Sequence, residues 1–473
     1  MLAFAPVGFF PLAVLTFAVL AGFWIGATPR RAFWSGYAFG LGLFGAGVSW
    51  VYVSLHTLGA MPLPLAALAT FLFCAFLALF PAAAGWLQAR IPAQASVRAC
   101  LLVPAAWTLF EWLRSWIFTG FPWLSAGYAA VGWPPQGYAP VVGVFGLSFI
   151  SVSLGGMVWL AFRRRRPLVF GTVLVAIVAA GEALRHVQWT EPAGAPVSAA
   201  LLQGNIEQDL KFRPERYPPI LATYVRLAEA TSAKLIVFPE TSIPRFLDRI
   251  EPEFLARLES VARRNGGDLL LGVPYRTRSD EYFNSVISLG TSPPQAYHKS
   301  HLVPFGEFIP PGFGWVLSVL QIPLSDFSRG GHAQPPITAA GQRVAVNVCY
   351  EDAFGDEIAR RLPEATILVN VSNVAWFGDS LAPAQHLQIA RLRAVETGRM
   401  HLAATNTGIT AAIDRDGRVL ARLPKFMEGR LEVSAQGYSG ATPYSRYADW
   451  PVVGVSLLLL AGALLVAWRA ASR

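Results

Sequence analysis

Charge is scarce in this 473-residue chain. Asp, Glu, Lys and Arg make up 14% of it, against about 25% in soluble domains. The shortage is local. Residues 1–186 are almost wholly apolar, 187–448 have the make-up of a soluble domain, and 450–468 are apolar again. That excludes a wholly soluble protein. Cysteine is scarce too, with three in all. Cys74 and Cys100 lie in or beside apolar segments, so Cys349 has no disulfide partner within its own polar region. No internal repeat is visible, which argues against a transporter built from repeated halves. No basic residue precedes the first apolar run, so it does not read as a signal peptide. No metal-ligand spacing is evident, since His298 and His301 flank Lys299 without a second ligand cluster. The net charge of +9 does not indicate nucleic acid, because many arginines sit in short loops between apolar segments.

What is present is a set of apolar runs near the length of a bilayer-spanning helix, about 20 residues. They cover 5–27, 33–55, 63–87, 101–118, 141–162, 168–184 and 451–468. Arg30, Arg31, Arg90, Arg98, the arginines at 163–166, Arg469 and Arg473 follow alternate runs, while 56–62 and 119–140 lack Lys and Arg. Basic loops stay cytoplasmic, so the polar domain is expected on the outer face, with the N-terminus also outside. The organisation expected is 1–186 with about six spans, 187–448 as a polar domain on the outer face, the periplasm in a Gram-negative cell, and 449–473 as a last span and short tail. The aromatics Phe121, Trp123, Tyr128, Trp133 and Tyr138 suit an interfacial belt. Glu111 and Arg114, three apart on one helix face, read as a structural pair.

The polar domain alternates short apolar strands with helical segments, which predicts α/β layers. Strands are expected at 197–202, 235–238, 269–273, 285–289, 344–348 and 367–371, and helices at 215–232, 253–264 and 383–399. Cys349 stands where the strand 344–348 should end, followed by Tyr350, Glu351 and Asp352. A thiol there faces a cleft, although free cysteines are commonly inert core residues. Glu240 follows Phe238-Pro239 at another strand end, and Lys299 precedes Glu307 by eight residues. A carboxylate can take a thiol proton, and an ammonium can stabilise thiolate and oxyanion.

Pro239-Glu240-Thr241, His298-Lys299-Ser300-His301-Leu302-Val303-Pro304-Phe305-Gly306-Glu307 and Cys349-Tyr350-Glu351 together resemble the Glu-Lys-Cys constellation of the nitrilase superfamily. With the flanking apolar runs, the pattern is similar to the apolipoprotein N-acyltransferases. Gln203-Gly204-Asn205-Ile206, Ala375-Trp376-Phe377-Gly378, Gln385-His386 and Thr405-Asn406 extend the match. The resemblance implies a multi-span α-helical membrane domain plus an α/β nitrilase-like α-β-β-α sandwich. It implies acyl transfer from a phospholipid, typically phosphatidylethanolamine, to the α-amino group of a diacylglyceryl-cysteine in an apolipoprotein. The work would be done at the bacterial inner membrane, without cofactor, metal or nucleic acid. Carried over, Cys349 is the nucleophile, Glu240 the general base and Lys299 the stabiliser of the tetrahedral intermediate. Glu307 and Glu351 support them, and Tyr350 offers its N–H to the oxyanion. A membrane-tethered nitrilase-type amidase is the alternative.

Two departures are visible. The family pattern has Asn-Asp before Ala-Trp-Phe-Gly, where this chain has Asn373-Val374. The family also implies eight spans, and Leu2-Ala3-Phe4-Ala5-Pro6 resembles the junction after the first, so either that span is absent or the start lies too late. Substrate contacts are expected from Trp315, Trp376 and His386. The apolar stretch 308–327, whose single charge is Asp326, is expected to form a lid on the outer leaflet with Trp315 at the interface.

Overall fold

The computed structural model describes residues 1–163, 167–277, 281–310 and 326–472. Two compact units emerge: Met1–Tyr52, Pro64–Gln188 and Thr442–Arg473 form one, and Val53–Leu63 with Trp189–Ala441 the other.

The first unit is helical. Among the described residues, three helices are long and apolar enough to cross a membrane: Leu63–Arg90, Pro134–Arg163 and Trp450–Ala470. Phe10–Trp24 and Leu168–Leu184 are apolar but shorter. Hydropathy overstates the regular length, because it counts apolar residues whatever their backbone does. Residues 1–9 fold into turns, with the Phe4 N–H on the Met1 carbonyl. The run 33–55 stops as a helix at Gly47, and Val53–Leu58 forms a separate π-helical turn within the other unit. The run 101–118 contributes Val103–Arg114, preceded by a π-helical turn at Arg98–Leu102.

Small residues bring helices together here, as they do in membranes. A Cβ on Gly40 would lie 2.8 Å from the Ala78 Cα. Glu111 and Arg114 are buried and fasten the following loop. Glu111 accepts from the Trp107 indole at 2.8 Å and the Ala126 N–H at 2.9 Å, while Arg114 donates to the Trp123 carbonyl at 2.7 Å. Trp123 and Tyr128, expected in an interfacial belt, are instead packed inside this unit.

The second unit holds two six-stranded sheets. Its strands are β1 (Thr190–Pro192), β2 (Val197–Gln203), β3 (Leu235–Val237), β4 (Asp268–Arg276), β5 (Tyr282–Gly290), β6 (Ala296–His298), β7 (Ile337–Ala339), β8 (Gln342–Val348), β9 (Ile367–Ser372), β10 (His401–Thr405), β11 (Ala411–Ile413), β12 (Val419–Arg422), β13 (Gly429–Ala435) and β14 (Tyr438–Gly440). One sheet runs β13-β2-β3-β4-β5-β6 and the other β12-β11-β10-β9-β8-β7. β1 and β14 pair separately. Each sheet has three adjacent parallel strands flanked by antiparallel ones.

Side chains alternate across each strand, and that alternation builds the layers. Leu201, Leu235, Val237 and Leu270 meet Val344, Val346, Val348, Val369 and Val371 between the sheets. The intervening Leu202, Ile236, Phe238 and Leu269 face outward onto helices Tyr217–Glu229 and Pro252–Arg264. On the far side, Ala345 and Leu368 cover Ile358 and Leu362, while Ala411 and Ile413 meet helix Ala382–Thr397. The result is an α-β-β-α sandwich. Because β3, β8 and β9 are parallel strands, Glu240, Cys349 and Asn373 all follow strand C-termini, where open α/β sheets present their ligand sites.

Candidate active site

Glu240 leaves β3 through Pro239 and is followed by Thr241 at φ +46°. Its Oε1 accepts from the Asn284 amide at 2.7 Å, and its Oε2 from the Asn373 N–H at 2.7 Å. Lys299, 1% exposed, places Nζ 2.7 Å from Glu307 Oε2 and 3.5 Å from Glu240 Oε1. Asn284 also donates to Glu307 at 2.7 Å, so one amide spans both carboxylates. Burial alone would lower the Lys299 pKa, but Glu307 and Glu240 outweigh it and hold the ammonium well above its ordinary value. Burial raises Glu307, opposed by Lys299 and reinforced by Glu240.

Cys349 follows β8 at φ +53°, a conformation that costs a non-glycine residue about 1–3 kcal/mol. Its carbonyl is held by the Asn370 amide at 3.1 Å. Burial pushes its thiol pKa up, Glu240 adds to that, and the Lys299 ammonium and the Asn373 N–H pull it down. The resting group is therefore a thiol, and a base is needed to make it a nucleophile.

Glu351 is a brace. One oxygen accepts from the Tyr297 hydroxyl at 2.9 Å, the Ser300 N–H at 2.8 Å, the Ser300 hydroxyl at 2.9 Å and the His301 N–H at 3.1 Å. The other accepts from the Val348 N–H at 2.7 Å. A single carboxylate thus joins the segment carrying Lys299 to the turn carrying Cys349. Arg361 supports it, donating to the Tyr297 hydroxyl at 2.6 Å.

Residues 1–157 match the family model described as apolipoprotein N-acyltransferase N-terminal domain, and 198–444 match carbon-nitrogen hydrolase. An apolipoprotein N-acyltransferase of Nitrosomonas europaea is 50% identical over 98% of this chain and 94% of its own length. The chain belongs to the apolipoprotein N-acyltransferase family. Relatives of the same name from Methylococcus capsulatus and Ralstonia nicotianae are 46% and 45% identical, over 96% and 98% of this chain and 91% and 90% of theirs.

Against the family's motif, the structure gathers Glu240, Lys299 and Glu307 in contact and sets Cys349 in their field. Trp376 is partly exposed, and its carbonyl accepts from Ser54 of the π-helical turn at 2.7 Å. His386 is buried. Its ring lies 3.6 Å from Asp352, and it hydrogen-bonds the Cys349 backbone. Tyr350 packs edge-on against Phe354. Trp315 and the lid expected around it lie outside the described residues, apart from the ends of that stretch. Val374, where the family pattern has Asp, is buried. Asn284, Arg361 and His401 escaped the sequence reading, and Asp352 was noted there only as a neighbour of Cys349. A polar Asn inside the otherwise apolar stretch of β5 was the available signal for the first. Among the described residues, no three His, Cys, Asp or Glu side chains are grouped to hold a metal.

Proposed function

We propose that this enzyme transfers an acyl chain from a membrane phospholipid, phosphatidylethanolamine above others, to the N-terminal amine of a diacylglyceryl-cysteine in an apolipoprotein. The observation that carries the reading is the Glu240–Lys299–Glu307 cluster, with Cys349 in its field, in a chain of this family.

Glu240 takes the Cys349 proton as sulfur attacks the ester carbonyl. Lys299 and the Tyr350 N–H face the developing oxyanion. The tetrahedral adduct collapses, the lysophospholipid oxygen leaves with the proton from Glu240, and a thioester remains. The acceptor amine then attacks, Glu240 takes its proton, and the sulfur departs as thiol. Two half-reactions sharing one covalent intermediate give ping-pong kinetics. Residues 1–186 and 449–473 hold the enzyme in the inner membrane, with 187–448 in the periplasm beside both lipid substrates. Intact-protein mass spectrometry after incubation with phospholipid tests this. One acyl mass is expected on Cys349, discharged by a diacylated lipopeptide. An unmodified Cys349 alongside free fatty acid release would instead indicate a hydrolase without this intermediate.

A further inference from the structure

Lys211 has no part in the steps above, yet it is 1% exposed. An ammonium has three donors. Among the described residues Lys211 uses one, on the Glu240 backbone carbonyl at 3.4 Å, and no carboxylate is in ion-pair contact with it. Burial brings its pKa down to about 8, against the pull of the Glu240 carboxylate. Retaining an unpaired buried ammonium is costly to a fold.

Its segment is fastened where it stands. Gln208 accepts from the Asn373 amide at 2.7 Å, and the Ile206 N–H and carbonyl both bond the Asn406 side chain, at 2.9 and 2.7 Å. Asn373 is the residue whose N–H holds Glu240. The lysine is therefore aimed at the back of Glu240 by the framework that positions Glu240 itself.

Charge counting shows what it supplies. Drawn as ions, Glu240, Glu307 and Lys299 sum to minus one, and the sum is the same after the Cys349 proton has passed to Glu240. Adding Lys211 brings the total to zero. In a buried site an uncompensated charge is costly. We propose that Lys211 is a positioning residue of the catalytic centre: its ammonium stands behind Glu240, balances the second carboxylate, and so keeps Glu240 ionised beside Glu307, ready to take the Cys349 proton. The inference rests on the assignment of Cys349 as nucleophile and Glu240 as base. Glu240 is the charge facing Lys211, Lys299 faces Glu240, and Cys349 feels Glu240, Lys299 and Glu307.

The test is alkylation of Cys349 by iodoacetamide across pH, read on the Cys349 peptide by mass spectrometry, in the full-length wild type and in Lys211→Met. The midpoint should rise by about one pH unit in the variant, a roughly tenfold fall in labelling rate at neutral pH. The melting temperature should not fall, since the substitution removes an unpaired buried charge. A purely structural lysine would show the opposite pair. A folded Lys211→Met with the wild-type alkylation profile overturns the proposal. Should that variant fail to fold, Lys211→Gln takes its place, and failure of both marks a structural residue and also ends it. An acyl adduct on wild-type Cys349 beside an unshifted profile would sink the Lys211 role alone. Persistent acylation in Cys349→Ala would sink the nucleophile assignment on which it rests.

Discussion

At the residue scale, the site separates holding a proton from holding a charge. Cys349 stays a thiol because burial and Glu240 oppose its ionisation, so its reactivity depends on proton removal at the moment of attack. Glu240→Gln keeps the shape and loses the base, and thioester formation should fall by about 10²–10⁴-fold. Stopped-flow assay with a fluorogenic ester measures it, and a fall under tenfold would require another base. Cys349→Ser should form no detectable ester adduct, since a serine hydroxyl is far harder to deprotonate with a carboxylate. Lys299 is not interchangeable with a surface lysine. It lies between two carboxylates in a dry setting, and removing it leaves both without their cation.

At the element scale, one carboxylate and one buried Asp–His group keep two chain segments in register. Glu351 accepts five hydrogen bonds across β6, the Lys299 segment and the end of β8. In Glu351→Gln an amide N–H would face one of those donors. About 2 kcal/mol of stability should go, with a loss of turnover that a surface Glu→Gln would not show. Chemical denaturation of the detergent-solubilised protein reads the first effect and the thioester assay the second. Beneath Cys349, burial lowers the His386 pKa against the pull of Asp352. Burial would raise Asp352, but His401 and His386 outweigh it and bring its carboxyl down. The unfolded chain therefore binds more protons than the folded one as pH drops below about 6.5, the ordinary histidine value. Stability must fall with pH there, and fall again below the ordinary Asp range. A melting temperature flat from neutral to acid pH would contradict this.

These elements also mark what the sequence could carry. The strands at 197–202, 235–238, 344–348 and 367–371 were legible because unbroken apolar runs bounded by turns leave little choice. β10, which reads His-Leu-Ala-Ala-Thr, was not legible, because alanine names no face. β6 and β7, three residues each, are too short to show a period. Glu240, Lys299 and Cys349 could be read from local motifs. The brace could not, because Tyr297, Ser300, Glu351 and Arg361 meet only through the fold.

At the scale of the whole molecule, the three long apolar helices share a polarity. Leu63–Arg90 and Pro134–Arg163 end on arginine, Trp450–Ala470 carries Arg469 in its last turn, and none has a basic residue in its first turn. Basic flanks stay cytoplasmic, so the proposed orientation has all three running from the outer face inward. Pro29–Gly47 begins instead with Arg30 and Arg31, and so runs outward. Pro167–Leu184 follows the arginines at 163–166, four against the single Arg185 beyond it, and also runs outward. On that orientation its outer end is where the catalytic unit begins. Two exposed arginines test the assignment, each replaced by cysteine in a Cys349→Ala background. Arg422→Cys, on β12, should react in intact cells with a membrane-impermeant maleimide. Arg163→Cys should react only after permeabilisation. Neither is buried within the protein, so a difference between them is not one of packing. Labelling of Arg163→Cys in intact cells, with Arg422→Cys protected, would invert the orientation and place the thioester chemistry on the cytoplasmic leaflet.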